Sequence, residues 1–196
     1  MDAGETALET TLHGDLVDVY GIGVLLLGES GTGKSECALD LVTRGHRLVA
    51  DDVVEVVKDG ERILLGRGPA RIRHLMEIRG LGIFSIRDLF GVAAIRYRKR
   101  IELVVMLEPW RPEEEYDRLG LDDQVHSILG VDIPMLRIPV SAGRNIAILV
   151  EVAARNHLLK LLGLHVARSF VKGLMPGEGE DRQDADLPGF SREDTE

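Results

Sequence analysis

Gly23-Val24-Leu25-Leu26-Leu27-Gly28-Glu29-Ser30-Gly31-Thr32-Gly33-Lys34-Ser35-Glu36-Cys37-Ala38-Leu39 changes character twice within seventeen residues. Residues 24–27 form a continuous apolar run, the pattern of a short strand buried on both faces. Residues 28–35 fit G-x-x-x-x-G-K-[ST], in which glycines let successive backbone N–H groups converge on an anion without Cβ clashes. From Glu36 onward the spacing predicts a helix to about Thr43, ended by Gly45. Strand, glycine loop and helix in that order are the context the motif needs. Gly28, Glu29, Ser30, Gly31, Thr32 and Gly33 then supply the phosphate cradle, Lys34 a mobile charge for the outer phosphates, and Ser35 a hydroxyl for Mg²⁺. The competing reading is a glycine turn that only caps a helix, with Lys34 solvated.

Working outward, residues 15–20 alternate as a strand ended by Gly21, and residues 46–50 return as a strand that delivers Asp51-Asp52. Residues 53–58 and 61–65 flank Asp59-Gly60, a two-residue type I′ hairpin signal. A short helix is expected within 83–90, a strand at 101–107 and a polar surface loop at 110–123. Residues 133–140 read as a strand, and Pro134 and Pro139 place it at a sheet edge. Helices are expected over 145–162 and 164–174. The order of elements, with hairpins mixed in, predicts an α/β domain with a mixed sheet.

The chain has 196 residues, 44% of them hydrophobic, which suits one sizeable core. No apolar run reaches transmembrane length, and residues 1–5 lack the basic start of a signal peptide. Cys37 is the single cysteine and reads as a small packed residue, so a cytoplasmic protein is the expectation. The net charge is −9. From Glu178 to Glu196 eight acids face only Arg182 and Arg192, so we divide the chain into a domain over 1–175 and an acidic tail over 176–196 expected to be disordered. The remaining charge argues against sequence-independent nucleic-acid binding.

Asp51 and Asp52 lie seventeen and eighteen positions after Lys34. Adjacent residues on a strand point to opposite faces, so one carboxylate would sit over Mg²⁺ and the other would face an incoming hydroxyl as general base. A turn cap is the alternative. Met76-Glu77-Ile78-Arg79-Gly80-Leu81-Gly82-Ile83 places two glycines beside a charged pair, which reads as a backbone that approaches something closely. Glu77 would be a hard-oxygen ligand, with Arg79 on phosphate or on Glu77; a β-bulge with an exposed ion pair explains the spacing equally well. His13 alone reads as structural, and Arg118 as a solvated loop residue. Pro139-Val140-Ser141-Ala142-Gly143-Arg144-Asn145 joins a strand to a helix, where Arg144 would suit a second phosphate or the segment would simply cap the helix.

Together these segments resemble the catalytic domain of the HPr kinase/phosphorylase family, from about Leu12 to about Leu174. The resemblance rests on His13-Gly14 with Val17-Asp18-Val19-Tyr20-Gly21, on residues 28–36, on residues 44–52, on Glu77-Ile78-Arg79-Gly80-Leu81-Gly82, on Tyr116-Asp117-Arg118-Leu119-Gly120 and on residues 139–145. It implies a mixed-sheet P-loop domain like the nucleotide-binding domain of phosphoenolpyruvate carboxykinase, with C-terminal helices. It also implies an ATP- and Mg²⁺-dependent serine kinase acting on the phosphocarrier HPr, in a homohexamer that regulates sugar uptake by the phosphotransferase system. Carried onto this chain, Lys34 and the loop would bind the phosphates, and Ser35 and Glu77 would hold Mg²⁺ with Asp51 near it. Asp52 would be the general base, His13 its hydrogen-bonded tuner, and Arg118 would neutralise transferring charge. The family also runs the reverse reaction, with phosphate as attacking group and pyrophosphate leaving. Ser141-Ala142 stands where the family usually has Arg-Pro, which would weaken that direction. A small-molecule kinase with the same base and a nucleotide-dependent switch are the competing readings; the switch would want an Asn-Lys-x-Asp motif, and none is present.

Overall fold

The computed structural model describes residues 8–114 and 124–165. Strands β1 (Glu9–His13), β2 (Asp15–Val19) and β3 (Ile22–Gly28) precede the glycine loop, α1 (Lys34–Thr43) follows it, and β4 (Arg47–Ala50) returns. Then come β5 (Val53–Asp59), β6 (Ile63–Arg67), β7 (Leu75–Ile78), β8 (Gly82–Ser85), helix α2 (Ile86–Phe90) and β9 (Lys99–Arg100). Strands β10 (Leu103–Pro109), β11 (Val125–Ile128) and β12 (Val131–Val140) lead into α3 (Ile146–Leu161). The expected helix at 164–174 and the acidic tail fall largely or wholly outside the described residues.

The central layer is a six-stranded sheet in the order β11-β12-β10-β3-β2-β4. Strand β10 runs parallel to β3 and β12, while β2 is antiparallel to both β3 and β4. The sheet is therefore mixed, as the element order predicted. Because β2 opposes both neighbours, β4 runs with β3. The C-terminal ends of β3, β4, β10 and β12 share one edge, where open α/β sheets collect their ligands.

The apolar run of β3 is buried because a layer lies on each face. Val24 and Leu26 join Leu41, Val105, Val150 and Ala154 under α1 and α3. Leu25 and Leu27 point the other way, onto Val54, Val56 and Leu64, strands β5 and β6 of a four-stranded sheet ordered β1-β5-β6-β9. Alternate residues of one strand thus serve two cores. Helix α1 ends as expected: Gly45 takes φ +95°, its N–H reaches Val42 C=O at 2.9 Å, and His46 N–H reaches Leu41 C=O at 3.1 Å, a Schellman pair. Asn145 caps α3 by accepting Ile148 N–H at 3.0 Å.

Three expectations need correction. Strand β12 is not an edge strand; β11 covers one side of it and β10 the other. Its prolines fit because the β11 register ends at Val125↔Pro134 and the β10 register begins at Val104↔Met135. Pro139, on the same side as the Met135 N–H that reaches Gln124 C=O, lies beyond the end of β11. The β5–β6 turn has three loop residues, because Asp59 pairs with Ile63. Only Gly60 in it has positive φ, whereas type I′ needs two. Gly80, in the β7–β8 turn, and Gly82, which opens β8, have φ +86° and +93°, and a Cβ at either would meet no protein atom within 4 Å. Their positive φ, not crowding by the protein itself, is what glycine serves there. The short helix expected within 83–90 is α2, preceded by the strand at 82–85.

Candidate active site

The loop after β3 is shaped by its glycines. At Gly28 a Cβ would lie 2.3 Å from Leu107 C=O, so only glycine lets β3 and β10 stay paired there. Gly33 precedes α1 in a left-handed conformation, φ +88°, and turns the first N–H groups of the helix toward the loop. Lys34 is buried and folds back over the loop, its Nζ donating to Gly28 C=O at 3.0 Å and Glu29 C=O at 3.2 Å. Thr32 closes the loop on itself through its hydroxyl, 2.9 Å from Glu29 C=O. Arg79, from the β7–β8 turn, reaches across to Ser30 Oγ at 3.3 Å.

Asp51 and Asp52 follow β4. Val53 N–H bonds Asp51 C=O at 2.7 Å across Asp52, whose φ is +64°. This is a γ-turn with a non-glycine residue in left-handed space, a conformation costing about 1–3 kcal/mol that surrounding structure must hold. The carboxylates diverge as expected, but through this turn rather than through strand alternation. Asp51 points inward, accepting the Ser35 hydroxyl and Glu77 N–H at 3.2 Å. Asp52 points out, 65% exposed, with its Oδ1 3.1 Å from His13 Nδ1. That same ring nitrogen is 3.0 Å from Asp52 C=O.

Beneath both lies Asp15, which the sequence reading passed over. It is fully buried and accepts Asp52 N–H at 2.8 Å. Burial and the adjacent Asp51 charge push its carboxyl up to about 8, against the opposing pull of Asp52 N–H and Lys34. Burial also raises Asp51, partly offset by the Ser35 hydroxyl and Glu77 N–H. Asp15 Oδ2 and Asp51 Oδ1 are both buried without a hydrogen-bond partner among the described residues. The signal that could have found Asp15 is an acid inside Asp15-Leu16-Val17-Asp18-Val19, a strand buried at every position.

His13, Lys34, Ser35, Asp51, Asp52 and Glu77 line one cavity of about 240 Å³ together with the glycine loop and Arg79. Arg144 is not in it: it lies beyond β12 at the same sheet edge, its guanidinium donating to Pro139 C=O at 2.9 Å. Arg118 lies outside the described residues. Oxygen donors suited to a hard cation are present, since Asp51 Oδ1 is buried without a hydrogen-bond partner among the described residues near the Ser35 hydroxyl and Glu77. No three acidic, His or Cys side chains among the described residues form a cage by themselves. A cation here would complete its shell with phosphate oxygens and water, the habit of Mg²⁺.

Fold and site define a mixed-sheet α/β domain with a glycine loop and a buried lysine at the start of α1 and a carboxylate in the same cavity. The chain belongs to the HPr serine kinase C-terminal domain family, whose profile matches residues 4–174. It is 59% identical over 172 residues to HPr kinase/phosphorylase of Geobacter sulfurreducens, covering 87% of this chain and 54% of that protein. It is 56% identical over 169 residues to the protein of the same name from Caldanaerobacter subterraneus, covering 86% and 55%. The solved structure of the Hpr(Ser) kinase/phosphatase from Coxiella burnetii matches with a TM-score of 0.73 at 34% identity, over 82% of this chain and 98% of that one. The chain spans about half the length of the curated relatives it matches.

Proposed function

We propose that this domain is the catalytic part of an ATP-dependent kinase that phosphorylates a serine of HPr. The observation that carries the reading is the sharing of one cavity by Lys34, the glycine loop and the Asp52 carboxylate. The loop amides and Lys34 hold the phosphates of ATP, which places the terminal phosphate near Asp52. Asp52 Oδ accepts the proton of the seryl hydroxyl as that oxygen attacks phosphorus, and the γ-phosphoryl–oxygen bond to ADP breaks. His13 Nδ1 holds the Asp52 carboxylate in place from the solvent side. Ser35, Asp51 and Glu77 would hold Mg²⁺, which supplies charge neutralisation at the phosphates when bound. Arg118 is proposed to neutralise the transferring group, and Arg144 to serve a second phosphate site.

The reverse reaction belongs to the same reading. Inorganic phosphate attacks the phosphoryl group of phosphoserine, pyrophosphate leaves, and protonated Asp52 returns its proton to the seryl oxygen. Ser141-Ala142 offers no cation to the attacking phosphate, so phosphorolysis is the weaker direction. A homohexamer in the cytoplasm is proposed on the family resemblance. Among the described residues no helix is long and apolar enough to cross a membrane.

Mass spectrometry of HPr after incubation with this protein, Mg²⁺ and ATP should show one added phosphoryl group on serine. Unmodified HPr alongside turnover of a small alcohol would overturn the choice of substrate. Asp52→Asn should lower transfer by about 10²–10⁴-fold while nucleotide affinity, read by calorimetry, stays within about threefold. Collapse of nucleotide binding instead would show Asp52 to be a purely structural residue.

A further inference from the structure

The γ-turn that aims Asp52 is held by backbone and side-chain hydrogen bonds. Two are backbone bonds: Gly14 N–H to Asp52 C=O at 3.0 Å and Val53 N–H to Asp51 C=O at 2.7 Å. Side chains add to these: His13 Nδ1 lies 3.0 Å from Asp52 C=O, Glu77 N–H donates to Asp51 at 3.2 Å, and Asp52 N–H donates to the buried Asp15 carboxyl at 2.8 Å, the one bond made by the Asp52 amide. Asp15 comes from β2, the strand between β3 and β4, and its backbone pairs with Leu26, two residues before the glycine loop begins. The preceding Gly14 is pressed against β3 so closely that a Cβ there would lie 2.5 Å from Leu26 C=O. Asp15 is thus fixed to the strand that carries the phosphate cradle, and its oxygen is fixed to the turn that carries the candidate base.

Burying an acid at a fully enclosed position costs several kcal/mol unless its oxygens are satisfied. Packing alone would be served by an apolar residue like its β2 neighbours Leu16 and Val17. An amide N–H in left-handed backbone, with no strand partner of its own, needs an acceptor. We propose that Asp15 is a positioning residue that registers Asp52 against the phosphate cradle by accepting the Asp52 N–H. This rests on the kinase reading for its catalytic consequence and on the turn geometry for its structural one. Asp15 touches neither acceptor nor nucleotide. It acts only through Asp52 and its neighbour Asp51.

The test compares Asp15→Asn, which keeps an acceptor oxygen and fills the same space, with Asp15→Ala, which keeps neither. Each is read by kcat and KM for HPr phosphorylation and by exchange of the Asp52 amide in NMR. The Asn variant should keep kcat within about threefold and keep the amide protected. The Ala variant should lose about 100-fold in kcat, the cost of roughly 1 Å of misplacement, with KM for ATP within about threefold and the Asp52 amide exchanging at least about tenfold faster. If the Ala variant does not fold, Asp15→Leu, which fills the space without an acceptor, replaces it. Equal loss in the Asn variant, a loss confined to KM, or an unchanged amide in the Ala variant overturns the proposal. If the wild-type protein transfers nothing to HPr, the kinase reading falls, and the amide comparison alone decides whether Asp15 holds the turn.

Discussion

At Gly28 two demands meet on one atom. The residue ends β3 in register with Leu107 of β10 and begins the loop, and the space a Cβ would need is occupied by the Leu107 carbonyl at 2.3 Å. The clash is with backbone of a central strand, which cannot swing aside as a side-chain tip would. Gly28→Ala should lower the melting temperature by at least about 4 °C, a loss of about 2 kcal/mol for a chain of this size, and weaken nucleotide binding in proportion to the loop's disturbance. Thermal melts with and without ATP read both, and an unchanged melt would show that β10 yields. Glycine identity was legible at this residue because the motif spells it out. Asp15 was not, because a single acid in a short strand carries no spacing rule; its role exists only once β2 is placed between β3 and β4. The pairing of His13 with Asp52 was expected from the family resemblance alone, since the two lie thirty-nine positions apart and meet through β1–β5 pairing that composition does not reveal.

Among the elements, those with a strong local signal were read well: the apolar run of β3, the motif-led α1 with its Gly45 stop, and the Asn145-capped α3. Strand β1 was overlooked because Glu9-Thr10-Thr11-Leu12-His13 is half exposed and carries one aliphatic residue. Strand β12 was misassigned because proline was weighed without its register. Helix α3 is tied to the rest by a polar cluster as well as by its apolar face. Glu151 takes His46 Nε2 at 3.0 Å, Tyr20 OH at 3.2 Å and Arg44 Nη1 at 3.4 Å. Burial raises the Glu151 carboxyl, but the hydrogen bonds from His46 and Tyr20 and the Arg44 charge more than reverse this and hold it below the ordinary carboxylate range. A carboxyl depressed in the folded state contributes its full stability above the unfolded value of about 4.3, and loses it as pH falls through the depressed folded value. Glu151→Gln should therefore melt about 2–4 °C below wild type at pH 7, near 1 kcal/mol, with the gap closing below about pH 4. A gap independent of pH between 3 and 7 would refute this account of the cluster.

Over the whole molecule the charge is far from even, and the net value of −9 concealed it. The stretch from Arg62 to Arg100 holds ten lysines and arginines and only two acids, Glu77 and Asp88; Arg67, Arg96 and Lys99 pair with Glu55, Asp18 and Glu102 outside it, while Arg71, Arg87, Arg98 and Arg100 are exposed. At low salt the field of that stretch acts over about a Debye length, 10 Å at 0.1 M. The protein should be retained by a cation exchanger at pH 7 and about 20 mM salt despite a sequence pI near 5.2, and flow through at high salt. Passage at low salt would show the arginines masked. The architecture also divides labour between its two larger sheets. The cradle, Lys34 and the aspartate turn hang from the six-stranded sheet, whereas His13 arrives on β1, the outermost member of the four-stranded one. An outermost strand has ladder bonds on one side only, so it frays at a lower free energy than the interior strands. Peeling β1 away would withdraw the imidazole from Asp52 and leave the glycine loop assembled: on the proposed kinase reading, a chain that would still hold nucleotide, yet would have lost the hand that steadies its proton acceptor.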